Sequence, residues 1–408
     1  MPNSSKDNSL LSVKDQKSRR RSLIGAAFLM ATSAVGPGFL TQTAVFTESL
    51  LASFGFVILV SIILDIGAQL NVWRIITVSG MRGQEIANTV LPGLGYVVAI
   101  FIVIGGLAFN IGNIGGTGLG INVFLGLDPK IGAVISAAIA IFIFLSKEAG
   151  AAMDRIVNVL GALLIILIGY VMIVSQPPVG DAIYRSFVPL EIDIYAIITI
   201  VGGTVGGYIT FSGGHRLLDA GITGKSAIPE VSRTSYLGIG VASLVRILLF
   251  LAVLGVVSNG VSLDPNNPAA TVFQSAAGDI GYRLFGVVLW VAGITSVIGA
   301  AYTSVSFFRS FHKVFDKYYK YWIIAFISFS TLVYVIIGQA ATLLVLAGAV
   351  NGLILPLTLG SMLLATRNKK LMGDYKHPVW LTVLGVIIVL LTAIFGIRTL
   401  FQMLPQLF

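Results

Sequence analysis

The chain has 408 residues, 56% of them hydrophobic and only 11% charged, whereas an ordinary soluble domain carries about 25% charged residues. Its net charge is +9, from 26 Lys and Arg against 17 Asp and Glu. The absence of cysteine excludes disulfides, thiolate metal sites and thiol redox chemistry.

Apolar stretches of about 20 residues, the length a helix needs to cross a bilayer, recur from Leu23 to Met403. They leave no soluble segment long enough to bury a core of its own. Residues 1–21 are polar and read as a disordered cytoplasmic tail, and 22–408 as a single transmembrane domain. Spans are expected at about 22–53, 54–73, 93–123, 131–146, 156–175, 194–221, 234–257, 284–308, 321–337, 340–364 and 379–403. With the N-terminus inside, 21 basic residues fall in cytoplasmic segments and 4 outside, Arg246 being left within a span. A miscount of one span would put every later loop on the wrong side, so the basic balance reports the positive-inside preference and not nucleic-acid binding. The expected location is the cell membrane, multi-pass, with a cytoplasmic N-terminus. Arg19-Arg20-Arg21 ahead of an apolar run also has the look of a signal peptide, but the same arginines suit a first span that starts inside.

The first apolar segment is too long for one straight helix and carries Gly36-Pro37-Gly38 near its middle. Pro37 has no N–H to donate and collides with the preceding turn. In lipid, the polar groups so freed are tolerated only where they are buried or line a polar cavity. The sixth segment contains Gly202-Gly203-Thr204-Val205-Gly206-Gly207, also in mid-span. Such glycines serve either close helix packing or a second break. Their position five helices after the first break is the pattern of an inverted repeat with broken helices at corresponding places. The prediction is an all-α membrane protein with a LeuT-like (APC superfamily) 5+5 inverted repeat. It has about eleven transmembrane helices, of which 1 and 6 are discontinuous. The repeats cover about 22–175 and 194–364, and an extra helix about 379–403. Each break exposes a half-helix N-terminus, after Gly38 and after Gly207, with about half a positive charge and free N–H donors suited to an anion. The opposing C-terminal ends and unwound carbonyls suit a cation, so side chains decide.

At these residues the sequence resembles the natural resistance-associated macrophage protein (NRAMP) family of proton-coupled divalent-metal transporters. That family's first helix reads Gly-Pro-Gly-Phe-Leu, six residues, then Asp-Pro-Gly-Asn, whose Asp and Asn bind the metal. Here Gly25-Ala26-Ala27-Phe28-Leu29 is followed, after the same six residues, by Gly36-Pro37-Gly38-Phe39. The family's sixth helix has Met-Pro-His, and the matching positions are Gly206, Gly207 and Tyr208. Its third helix offers an Asp and a Glu for proton transfer, and this chain has Asn110 and Asn113. The spacing is kept and the ligands are not. Mn²⁺ and Fe²⁺ need anionic or strongly donating ligands, and even Mg²⁺ commonly uses one or two carboxylates. The expected solute is therefore a small carboxylate or amino-acid-like compound, with the divalent cation implied by the resemblance as the alternative. The substrate-binding candidates are Gly36, Pro37, Gly38, Phe39, Gly203, Gly206, Gly207, Tyr208, Asn110 and Asn113. Neither a metal-ligand set nor a cofactor is expected.

Three ionisable residues stand inside spans, where a charge costs about 2.5–3.5 kcal/mol on insertion scales. Asp65 and Arg246 lie at equal depth in equivalent helices of the two repeats, which predicts a salt bridge with a structural or a coupling role. Glu48 lies on the outer half of the first helix, where it either faces the access vestibule and takes up a proton or merely sits near the interface. Asn110, Asn113, Thr117 and Asn122 give the third helix a polar stripe that bonds neighbouring helices or faces the breaks. His215, Arg216 and Asp219 read as a solvated helix end, with an inner gate as the other reading. No catalytic motif suggests an enzyme. Two broken helices in one long chain favour alternating access over a channel built from a repeated pore element. The coupling ion is expected to be H⁺ or Na⁺.

Overall fold

A computed structural model describes residues 13–309 and 311–403, which are helical throughout and carry no strand. In chain order the helices are α1 Val13–Ala34, α2 Pro37–Leu50, α3 Phe54–Ser79, α4 Gly83–Val90, α5 Leu94–Leu125 and α6 Pro129–Leu145. There follow α7 Lys147–Ser175, α8 Val179–Phe187, α9 Ile194–Val205, α10 Tyr208–Asp219, α11 Ile228–Ser258 and α12 Pro268–Ser306. The last are α13 Lys313–Lys317, α14 Tyr319–Ile337, α15 Ala340–Ala365, α16 Lys369–Met372 and α17 Val379–Met403. Among the described residues, eight helical stretches are long and apolar enough to cross a membrane. One of them, Pro37–Ser79, joins two expected spans end to end, and Pro129–Leu145 is a shorter apolar helix. Large apolar side chains such as Ile166, Ile173, Ile336 and Ile394 stand exposed on α7, α14 and α17, an apolar exterior that belongs in lipid.

Helix starts follow local chemistry. Asp128 caps α6 by accepting from the N–H groups of Lys130 and Ile131, and Asn267 caps α12 by accepting from Ala270. Both caps precede a proline, whose missing N–H costs nothing in the first turn. Helix–helix seams use small residues where backbones approach. A methyl on Gly202 would fall 2.0 Å from the carbonyl of Gly348, joining α9 to α15. One on Gly120 would fall 2.5 Å from the backbone of Trp290, joining α5 to α12. Gly202 thus answers to packing.

One expectation needs correction, at the start of the chain. Residues 1–12 of the expected tail lie outside the described residues, but Val13–Arg21 is helical and continues into the first span. Arg19 fixes this extension, its Nε lying 2.7 Å from Glu230 Oε2 on α11. At the other end, α17 docks on α3 through His377, whose Nε2 is 2.8 Å from Asn71 Oδ1. Asn71 in turn donates to the carbonyl of Leu381. Burial, assisted by the charge of Arg74, pushes His377 down to about 4 from its ordinary 6.5. The native state then takes up this proton less readily than the unfolded chain. The stabilisation is complete above pH 6.5 and is lost as pH falls from 6.5 towards 4. His377→Gln keeps a donor for Asn71 and should flatten the dependence of thermal unfolding on pH within that window.

Candidate functional site

The first break is a two-residue gap. α1 ends at Ala34, Gly36 is extended (φ −108°, ψ −171°), and Pro37 opens α2. Val35 N–H bonds Ala31 and Gly36 N–H bonds Ala34, while Leu40 N–H reaches back to Gly36. Among the described residues, the N–H groups of Gly38 and Phe39 have no acceptor and the carbonyl of Val35 no donor. In the sixth span α9 stops at Val205 and α10 starts at Tyr208, with Gly206 extended and Gly207 at φ 52°, ψ −125°. That conformation is open only to glycine. Among the described residues, the N–H groups of Gly207 and Tyr208 likewise lack acceptors. Both breaks therefore exist where the sequence places them.

The breaks meet through side chains. Gln42 on α2 is fully buried, donates to the carbonyl of Leu344 (2.8 Å), and brings its Oε1 within 2.5 Å of where a methyl on Gly203 would stand. Arg246 on α11 donates from Nη1 to Thr204 Oγ1 (2.8 Å) and lies over the ring of Phe39, 4.0 Å from its centroid. It thereby touches both broken helices. Asn351 on α15 donates to the carbonyls of Gly105 and Ala347, and its Oδ1 closes on Gly207. Tyr208 is buried and packs edge-on against Phe109 (5.8 Å). Phe109 also borders Gly38. On the other side of Gly36, Ser296 Oγ and Asn113 Oδ1 lie 2.6 and 3.8 Å from the position a methyl would occupy. The oxygens Gln42 Oε1, Asn351 Oδ1 and Ser296 Oγ are buried without a partner.

Several expected roles change. Asp65 and Arg246 are both buried (1% and 2% exposed) and feel each other's charge, but they form no direct ion pair. Thr204 stands between them, taking the guanidinium bond, and Asp65 Oδ1, Arg246 Nε and Arg246 Nη2 have no partner. Asn110 turns away from the breaks and donates to Ser330 on α14 (3.0 Å). Asn122 caps the end of α5 through Leu127. Only Asn113 and its neighbour Thr117, near Gly293 on α12, remain on the side of the first break. Glu48 is not a lone carboxylate. It accepts from the N–H of Leu263 (2.8 Å) and, with Tyr195, Pro265 and Pro268, lines a cavity of about 300 Å³.

At the opposite, basic end, side chains tie α10 to α4 and α12. His215 is 4% exposed, accepts from the N–H of Gly83 (3.1 Å) and packs on Phe211 and Phe307. Arg82 pairs with Asp219 at 2.5 Å. His215 is therefore packed between Gly83, Phe211 and Phe307 and is not part of a solvated helix end.

Sequence reasoning missed Gln42, Ser296 and Asn351. The signal available was a single polar residue in an apolar run for Asn351 and a short polar run for the others, Thr41-Gln42-Thr43 and Thr295-Ser296, and each also fits ordinary bonding between helices.

Comparison with known proteins agrees with this geometry. The profile of the family described as natural resistance-associated macrophage protein-like matches residues 27–402. The uncharacterized membrane protein YcsG of Bacillus subtilis is 63% identical over 385 residues, covering 94% of this chain and 95% of that protein. A variant of the Eremococcus coleocola manganese transporter superposes with a TM-score of 0.72 at 17% identity, covering 94% of this chain and 86% of that one. MhsT in complex with L-phenylalanine superposes with a TM-score of 0.62 at 19% identity, covering 94% and 98%. The fold is LeuT-like, with the first and sixth helices discontinuous.

Proposed function

Because this chain belongs to the natural resistance-associated macrophage protein-like family, and so is a membrane transporter, we propose that it moves a small carboxylate or amino-acid-like solute by ion-coupled alternating access. The carrying observation is Arg246. Its guanidinium spans both broken helices, is 2% exposed, and has two nitrogens without partners. A buried group of this kind forfeits about 1–3 kcal/mol for each missing hydrogen bond, so it awaits water or an acceptor. A carboxylate is the acceptor whose geometry matches a guanidinium fork. The unpaired N–H groups of Gly38, Phe39, Gly207 and Tyr208 add donors at two half-helix N-termini, where an anion is stabilised.

The second reading is a divalent cation, favoured by the likeness to a manganese transporter. The donor set argues against it. Among the described residues no three His, Cys, Asp or Glu side chains gather as a metal site. Gly36, Phe39, Gly206 and Gly207 bring no ligating side chain to the breaks, and a buried guanidinium beside them repels a dication. The likeness to a structure holding L-phenylalanine indicates that this fold accommodates an organic solute as well.

Proteoliposomes offered Mn²⁺, Mg²⁺, amino acids and small organic acids test the reading. The expected result is saturable uptake of one carboxylate class, with Mn²⁺ neither carried nor competing. Tight Mn²⁺ binding that no organic acid displaces would overturn it.

A further inference from the structure

The turn from α7 into α8 lays a short helix across the end of the bundle opposite the basic one. Pro177 and Pro178 have no N–H with which to continue α7, and Gln176 takes φ 49°. The span Val159–Ser175 therefore stops, and α8 leaves it at 105°. Spans stand on average within about 20° of the bilayer normal. A helix at that angle to one of them runs along the membrane surface.

The sequence of α8 gives each of its sides a different character, since successive residues advance by about 100° around a helix of 3.6 residues per turn. Ala182 and Ser186 fall on the side that meets α3. Ala182 is buried in a cluster with Phe46 and Phe54, and Ser186 Oγ crowds the space beside Gly55. Beside this seam Val179, Ile183 and Phe187 form an apolar stripe, with Ile183 60% and Phe187 69% exposed. Tyr184 comes next around the helix. Asp181 and Arg185 occupy the remaining side and pair at 3.4 Å, and Arg185 lies over the ring of Tyr184, 5.2 Å from its centroid. The apolar surface runs on past the helix into Leu190 and Ile192, 76% and 60% exposed. Just ahead of α8 in the chain stand the exposed Ile173 and Val174 of α7, part of the exterior that belongs in lipid.

Water would leave this run of large side chains as a contiguous apolar patch, which soluble surfaces seldom carry. A bilayer surface covers one side of such a helix and hydrates the other. Tyr184 then falls at the boundary between the two, where tyrosine is enriched. A protein partner imposes no such division.

We propose that α8 and the segment up to Ile192 form an interfacial membrane anchor, with Val179, Ile183, Phe187 and Leu190 seated in the headgroup–acyl boundary of the leaflet at the non-basic end.

The anchor also holds the junction of the first two spans. The N–H of Leu190 donates to Ser53 Oγ (3.1 Å), in the turn Leu51–Ser53 between α2 and α3. α2 is one half of the broken first helix, so the bilayer surface fixes one end of the element whose other end is the break.

The chain has no cysteine, so a polarity-sensitive nitrobenzoxadiazole dye can report on single sites of the purified full chain, held as one chain per nanodisc. The label on Phe187→Cys should emit in the blue and lose most of its emission to lipids brominated near the top of the acyl chain, with little loss to aqueous iodide. On Asp181→Cys the pattern should be reversed. Adding Ile183→Asp and Leu190→Asp, at side chains that are both exposed, should shift the Phe187→Cys label to the red and open it to iodide while Tm stays near that of the parent. Equal iodide quenching at Phe187→Cys and Asp181→Cys overturns the anchor. So does a Phe187→Cys label shielded from bromine and iodide alike, which would place the stripe against protein, and so does a label that Ile183→Asp and Leu190→Asp leave unmoved. No solute enters these readings, so the anchor and the carboxylate reading fail independently.

Discussion

Replacing Gly207 by alanine should abolish uptake and destabilise the folded protein by about 3 kcal/mol or more. Two independent penalties add. The backbone at φ 52°, ψ −125° is a region where a Cβ is strained. The new methyl would also stand 1.7 Å from Asn351 Oδ1, and Asn351 is held by the carbonyls of Gly105 and Ala347. Adding Asn351→Ala removes the collision but not the strain, so the double variant should recover only part of the loss. Gly240→Ala is the control. It lies mid-helix on α11, exposed, with nothing within 4 Å of its Cβ position. There the exchange should be neutral or stabilising by up to about 1 kcal/mol. Unfolding in denaturant, read beside solute uptake, distinguishes these cases. A Gly207→Ala protein with wild-type stability and transport would mean that the sixth helix does not depend on its break.

Why the breaks were legible in the sequence, and much of the site was not, follows from where each interaction is encoded. A break is local. Pro37 removes its own donor, and clustered glycines weaken their own helix, so six adjacent residues suffice to place it. The span pattern is equally local, because each stretch of about 20 apolar residues declares itself. The partner of a side chain across the bundle is encoded in a helix hundreds of residues away. Gln42 donates to Leu344 across 302 positions of sequence, and nothing near residue 42 announces it. Depth along the membrane can be counted from rise per residue, but rotation about the helix axis cannot be fixed so well. Equal depth brought Asp65 and Arg246 into one neighbourhood correctly, yet it did not reveal that Thr204 would stand between them. The same limit explains Asn110 and Asn113. They lie three positions apart, on nearly the same face, and one meets Ser330 while the other borders Gly36.

The asymmetry between the two ends of the molecule bears on mechanism. At the basic end, Arg82 and Asp219, with His215 under Gly83, close α10 onto the loop before α4. At the other end the first span reaches a cavity of about 300 Å³ whose wall includes Glu48. The broken helices link the two ends, since α2 (Pro37–Leu50) carries Glu48 and α10 (Tyr208–Asp219) ends at Asp219. On the alternating-access proposal, a solute that draws α2 and α10 together at their N-termini would act on both ends at once. Alternating access requires such a linkage.

Removing either member of the buried pair should be severe, with Arg246→Met and Asp65→Asn each costing about 3–5 kcal/mol of stability. Arg246→Met strands Asp65 as an uncompensated carboxylate at 1% exposure, and it also removes the packing over Phe39 and the bond to Thr204. Asp65→Asn leaves the guanidinium with no buried counter-charge. The double variant should lose clearly less than the sum of the two, by about 1 kcal/mol or more, because neither charge is then stranded. The coupling should nevertheless fall short of that of a direct ion pair, since Thr204 holds the partners apart. Arg246→Lys separates charge from shape. It keeps the cation but not the planar fork that stacks on Phe39 while bonding Thr204, so it should preserve more stability than Arg246→Met and still lose solute binding. A cycle of purified variants unfolded in denaturant, with uptake measured on the same preparations, checks both expectations. Strictly additive losses would show that the two charges act independently. A stable double variant that still accumulated the solute normally would show that the guanidinium takes no part in binding it.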